Sequence, residues 1–157
     1  KSVNIERRIE SMSNTKYAFS IKTSRVRETD FPYQGQSISS TSELMNFTSA
    51  LQDADVEKFI VIYLNIKNVV NGIYVTTGTV DQAIIFPREV LLHALLSRSS
   101  SMILIHNHPS GETKPSDSDL NLTKCLIEAA RIFNIMVHDH VIIGMNKFLS
   151  FREEGLL

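Results

Sequence analysis

Residues 101 to 119, SMILIHNHPSGETKPSDSD, constrain this chain more than any other stretch. SMILI has the apolar character of a short buried strand, and it delivers the chain directly to His106. In an extended exit from a strand alternate side chains point the same way, so His106 and His108 can aim two imidazoles at one point. After the Pro-Ser-Gly turn, Pro115-Ser116 sets a helix start with Ser116 as N-cap, and its first turn can carry Asp119 back toward the histidines. Two nitrogens and one carboxylate oxygen leave a tetrahedral Zn²⁺ with a vacant position for water, which marks an open site more than a closed structural one. Ligand type alone does not separate Zn²⁺ from Mn²⁺ or Fe²⁺.

Each half of this pattern has a bland explanation. Paired histidines can be surface residues, or core residues satisfied by the backbone, and Ser116-x-x-Asp119 can be only a helix cap. Together they are harder to dismiss. At this chain's residue frequencies the spacing H-x-H-x7-S-x2-D arises by chance in roughly one such sequence per thousand, so a metal site is the stronger reading.

The rest of the chain supplies a frame for that site. Residues 15 to 27, TKYAFSIKTSRVR, alternate like a half-exposed strand, and DFPYQGQSISS reads as a loop. Ser40 and Glu43 form a capping box, and Leu44, Phe47 and Leu51 recur at helical spacing to about Asp53. KFIVIYLNI, residues 58 to 66, and IYVTTGTV, from Ile73, read as neighbouring antiparallel strands joined at an Asn71-Gly72 turn. Pro87 opens a helix through Leu96 with Leu91, Leu92 and Leu95 as its apolar face. A second helix spans about Asp117 to Asn134 and presents Leu122, Leu126, Ala130 and Phe133. IMVHDHVIIG and FLSF close the chain as strands. At 157 residues and 43% hydrophobic content, this describes one main domain, residues 40–157, behind an N-terminal extension, residues 1–39.

HNHPSGETKPSDSDLNLTK resembles the signature of the JAB/MPN (JAMM) metalloproteases in its RadC-like version, where Asn separates the histidines and Pro-Ser-Gly follows. VEKFIVIYLNIKN, TTGTVDQAIIFPREVLLHALL, DHVIIG and FLSFREEGLL resemble family segments in family order, so the likeness covers about residues 40 to 157. It implies an α/β fold with a mixed, curved sheet flanked by helices, of cytidine deaminase-like architecture. It also implies Zn²⁺ on His106, His108 and Asp119, with an upstream Glu as general base. Glu57, which opens the strand KFIVIYLNI, matches that Glu; Glu89 lies nearer in sequence, but an acid in the first turn of a helix is already explained by the helix dipole. Ser116 would then donate to the developing oxyanion, a contribution of about 3 kcal/mol. His138 and His140 share a strand face, and Asp139-His140 matches a family pair outside the metal ligands, which assigns them a supporting role. His93 is a boundary residue of its helix.

Two function classes follow. One is a zinc-dependent hydrolase of peptide or isopeptide bonds acting on a peptide or protein substrate. The other is a non-catalytic, metal-containing module that binds DNA or protein in DNA repair, the process the resemblance associates with this family. Retention of both Glu57 and Ser116 favours the enzyme, because a structural site needs neither. DNA gains little support from charge: the formal net charge is -1, and the 16 Lys and Arg are scattered among 17 acids with only a small basic excess in residues 1 to 30. Residues 1–39 also do not resemble the helix-hairpin-helix elements that usually precede this domain. The single cysteine, Cys125, reads as an ordinary packed residue and suits a reducing, cytoplasmic setting. KSVNIERRIE lacks the apolar centre of a signal peptide, no stretch is long enough to span a membrane, and the initial Lys suggests a processed or truncated form.

Overall fold

The computed structural model describes residues 37–38, 43–44, 48, 51, 54–77 and 85–157. The predicted strand at 15–27, most of the DFPYQGQSISS loop, and Ser40 and Phe47 of the predicted first helix lie outside these residues. Among the described residues, beyond the helical positions at 43–44 and 48, the elements run β1 (Lys58–Leu64), β2 (Val70–Thr77), α1 (Pro87–Leu96), β3 (Ser101–Asn107), α2 (Asp117–Ile132), β4 (Met136–Gly144) and β5 (Lys147–Ser150). The strands form one mixed sheet of order β2-β1-β3-β4-β5. Among the described strands only β3 and β4 run parallel. Parallel neighbours need a crossover, and α2 provides it.

β3 is buried at every residue, because both faces of the sheet are covered. On one face Met102 and Leu104 pack with Phe59, Val61 and Tyr63 of β1, with Val90, Leu91 and Ala94 of α1, and with Leu126 and Ala130 of α2. On the other, Ile103 and Ile105 join Ile62, Leu64, Val141 and Ile143 under Ile38, Leu44 and Leu51. Leu44 and Leu51 are thus buried as their helical spacing predicts. A fully buried aliphatic side chain contributes about 1.5–3 kcal/mol, so these two layers hold β3 firmly and give a rigid base for whatever follows it.

Several expectations are corrected. The β1–β2 turn lies at Asn65–Asn68, with Asn71 and Gly72 inside β2. Asn65 carries it: its side-chain oxygen accepts from the backbone N–H of Lys67 at 2.8 Å and of Val69 at 3.1 Å, and Asn68 takes the left-handed conformation at φ 56. A turn closed by an asparagine side chain needs no glycine. On α1, Leu92 and Leu95 face outward, at 43% and 47% exposure, while Val90, Leu91 and Ala94 are buried. The buried stripe lies to one side of the leucine-rich one. α2 ends at Ile132, and Phe133 is its exposed C-cap. Cys125 is exposed too, because Thr123, Leu126 and Ala130 set the buried face of α2. In β4 the register skips from Val137 to Asp139, so His138 is the extra residue of a bulge and the expected sharing of a face with His140 does not hold.

Candidate metal centre

The site forms where β3 ends. His106 is 1% exposed, and Phe59, its partner across the β1–β3 ladder, stacks on its ring with centroids 6.1 Å apart. His108 lies just beyond the strand and is held at both ends. Its backbone N–H donates to Ile143 O at 2.9 Å, and its Nδ1 lies 2.9 Å from Glu112 O. A carbonyl only accepts, so the proton is on Nδ1 and Nε2 faces the site. Gly111 makes this loop possible. Its φ is +79, and a side chain on Gly144 would meet Gly111 O at 2.3 Å, so the loop lies directly against the end of β4 and is sealed there by Met145 N–H donating to Gly111 O.

Asp119 arrives from α2 as predicted. Ser116 is the N-cap and the capping box is complete: Ser116 Oγ accepts from Asp119 N, while Asp119 Oδ2 accepts from Ser116 N at 2.8 Å. The hydroxyl proton of Ser116 also goes to Asp119 Oδ2, at 2.6 Å. Ser116 therefore orients Asp119, and its one proton can reach an oxyanion only by leaving that bond.

The three side chains converge. His106 Nε2 lies 2.9 Å from His108 Nε2 and 3.3 Å from Asp119 Oδ1, and His108 Nε2 lies 3.6 Å from Asp119 Oδ2. One donor atom from each falls within a 4.8 Å cluster. Two imidazole nitrogens at 2.9 Å cannot meet lone pair to lone pair, so a hydrogen or a cation must lie between them. The donor set, two nitrogens and a carboxylate oxygen, fits a divalent metal ion. The same proximity shapes the protonation of these groups. Burial pushes Asp119 up, but hydrogen bonds with His106, His108 and Ser116 outweigh it and hold the carboxyl well below the usual range. His108 is raised, first by its hydrogen bond with Asp119 and against burial, with Glu112 O and the charges of Asp119 and Glu57 adding to the rise.

Glu57 lies just before β1, at the end of that strand which borders this site. Phe59 and His106 form the last pair of the β1–β3 ladder; His108 follows His106 by two residues, and Glu57 precedes Phe59 by two. Its charge is felt at His108. A residue that the sequence reading passed over holds it: Asn107, 1% exposed, accepts from Lys58 N at 2.8 Å and donates through Nδ2 to Val56 O at 3.1 Å. These bonds bracket Glu57. Glu89 instead sits in the first turn of α1 and pairs with Arg88 at 3.1 Å. His93 is half-buried against Tyr74, the boundary position expected of it.

His140 is fully buried behind the three candidate donors. Its Nε2 lies 2.8 Å from His106 Nδ1, which is the supporting role expected of the Asp139-His140 pair. Burial, with the nearby His106, pushes its pKa well below the usual histidine value. Asp139 accepts from Ser150 Oγ and from the backbone N–H of His140 and Arg152, so it organises the C-terminal turn. His138 does not join the cluster.

A family model described as the RadC-like JAB domain matches residues 38–156. A UPF0758 protein of Clostridium acetobutylicum is 42% identical over 127 residues, covering 80% of this chain and 56% of that protein. A UPF0758 protein of Desulforamulus reducens is 46% identical over 108 residues, covering 68% and 48%. One from Methanosarcina acetivorans is 39% identical over 108 residues, covering 68% and 47%. The chain thus spans about half the length of the curated relatives it matches.

Proposed function

Because this chain belongs to the RadC-like JAB-domain family, we propose that it is a zinc-dependent hydrolase of peptide or isopeptide bonds, with Glu57 as general base. One observation supports the reading: donor atoms of His106, His108 and Asp119 converge within 4.8 Å, and Glu57, the residue just before β1, is near enough for its charge to add to the rise of His108. A structural metal site has no use for an acid held in that position.

His106, His108 and Asp119 would hold the ion, which when bound supplies Lewis-acid chemistry, lowering the pKa of a water toward about 7 and polarising a carbonyl. The chain's own residues do the rest. Glu57 takes a proton from the attacking water as its oxygen adds to the amide carbon. It returns that proton to the nitrogen when the C–N bond breaks. Ser116, released from Asp119, donates to the oxygen that gathers negative charge. The substrate is a peptide or protein. Tight binding to duplex DNA is not expected from a chain of net charge -1.

The test is a pair of substitutions assayed on an amide substrate from a peptide-library screen, with metal measured by elemental analysis. Glu57→Gln keeps zinc and loses hydrolysis by ~10²-fold or more, while Glu89→Gln keeps both. The reverse outcome, or a Glu57→Gln protein as active as the wild type, removes Glu57 from the reaction.

A further inference from the structure

Behind the donors, two buried side chains that the hydrolytic reading does not use, His140 and Thr123, extend His106 into a continuous hydrogen-bonded chain. His106 Nδ1 lies 2.8 Å from His140 Nε2, His140 Nδ1 lies 2.6 Å from Thr123 Oγ1, and Thr123 Oγ1 donates to the backbone oxygen of Asp119 at 2.6 Å. His106, His140 and Thr123 are at most 1% exposed, so these atoms must satisfy one another. Phe59 meets the His140 ring edge-on at 5.8 Å and Phe151 packs on it at 4.6 Å, which leaves that ring little room to turn.

The direction of every proton in the chain follows from its far end. A carbonyl oxygen accepts and never donates, so the one hydroxyl proton of Thr123 goes to Asp119. The Thr123 oxygen is then left to accept, and His140 must donate to it from Nδ1. A neutral imidazole carries a single ring proton, so His140 Nε2 is bare and accepts from His106 Nδ1–H. His106 Nε2 is left with its lone pair aimed at His108 and Asp119, the form that can bind a cation. The chain also closes on itself, because the residue whose backbone ends it supplies the carboxylate of the site.

We propose that Thr123 and His140 are positioning residues that set the tautomer of His106 before any metal arrives and tie His106 and Asp119 into one unit. The inference rests on the reading of His106, His108 and Asp119 as ligands, and it predicts a property of the zinc-free protein that does not depend on catalysis. A metal-ligating histidine depends on whatever bonds its other nitrogen, and loss of that partner typically weakens metal binding by about 10–100-fold. Here that partner is two residues deep.

Two measurements test it. Zinc affinity, from competition with a chelator, falls about 10–100-fold in Thr123→Val, which keeps the shape and removes the acceptor, and recovers in Thr123→Ser to within about 3-fold of wild type. His108→Ala gives the reference for outright ligand loss. Long-range ¹H–¹⁵N correlation spectra of zinc-free wild type show both His106 and His140 with the proton on Nδ1, and Thr123→Val shifts His140 toward the other tautomer. Wild-type affinity in Thr123→Val, or His140 protonated on Nε2 in the wild type, overturns the proposal. If the wild type takes up no stoichiometric zinc, the ligand reading falls, while the zinc-free tautomers still decide the chain. If Thr123→Val does not fold, the wild-type spectrum and Thr123→Ser decide it.

Discussion

Asn107→Ala removes the clamp on Glu57 without touching a metal ligand. The side chain makes two hydrogen bonds, to Lys58 N and to Val56 O, and is 1% exposed. Alanine can make neither. An orphaned donor or acceptor costs about 1–3 kcal/mol when buried. Val56 and Lys58 are half-buried, so water recovers part of that, and the expected loss is about 2–4 kcal/mol against a total stability of about 5–15. Asn107→Asp separates the two bonds, since its carboxylate still accepts from Lys58 but faces the Val56 carbonyl with a second acceptor. It loses about as much stability as Asn107→Ala, or more. The chain has no tryptophan, so urea unfolding is followed by far-ultraviolet circular dichroism, with zinc affinity and hydrolysis measured alongside. Zinc affinity stays within about 3-fold, because alternate residues of an extended segment face opposite ways and Asn107 stands between the two histidines. Hydrolysis falls by at least ~10-fold, since misplacing a reacting group by about 1 Å can cost 10²-fold. A destabilisation below about 1 kcal/mol with unchanged hydrolysis would refute the clamp.

The zinc-free protein is expected to be most stable near pH 6.5, the unfolded histidine value. Below it, His140 and His138, both lowered chiefly by burial, stay neutral in the fold while the unfolded chain takes up protons; above it, His108, raised by Asp119, loses a proton that the fold favours. Unfolding in chelator between pH 5 and 8.5 checks this, and stability that keeps climbing from pH 6.5 to 8 contradicts it. Gly144→Ala forces a carbon within 2.3 Å of Gly111 O and 2.9 Å of Thr113 Cγ2, and backbone cannot yield as a flexible side chain can. It should cost about 1–3 kcal/mol or more and weaken zinc binding with it, because the displaced loop carries His108; unchanged stability in urea would be the contrary result.

What was legible in the sequence was local. Ser116 and Asp119 announce a cap because the bonds of a capping box span only three residues, and that box is present. SMILI reads as buried because both faces of its strand are covered. The histidine pair needs only the alternation of an extended chain. The illegible parts depend on which strands pair and in what register. Nothing near Asn107 says that it will bond Val56 and Lys58, and a bulge at His138 follows from how β4 lies on β3. The Asn71-Gly72 error has the same origin: the dipeptide favours a turn in isolation, but the two carboxamide bonds of Asn65 close the chain sooner. Leu92 and Leu95 look like core until α1 settles on Val90 and Ala94.

Topology explains why the acid lies at the start of a strand and the histidines at the end of one. β3 and β4 are the parallel pair, and in α/β sheets functional groups gather beyond the carboxyl ends of such strands. His106 and His108 lie there, and α2, which must begin there to cross over to β4, brings Asp119 on its first turn. β1 runs antiparallel to β3, so the end of β1 that borders this site is its first residues. An acid that is to reach the histidines from β1 must therefore precede or open the strand, as Glu57 does. The first turn of α1 sets no such register, and Glu89 is engaged there with Arg88. The separation of Glu57 from the three candidate donors in sequence thus follows from antiparallel pairing, and the same pairing lets Asn107, between the two histidines, bond the backbone on both sides of the acid.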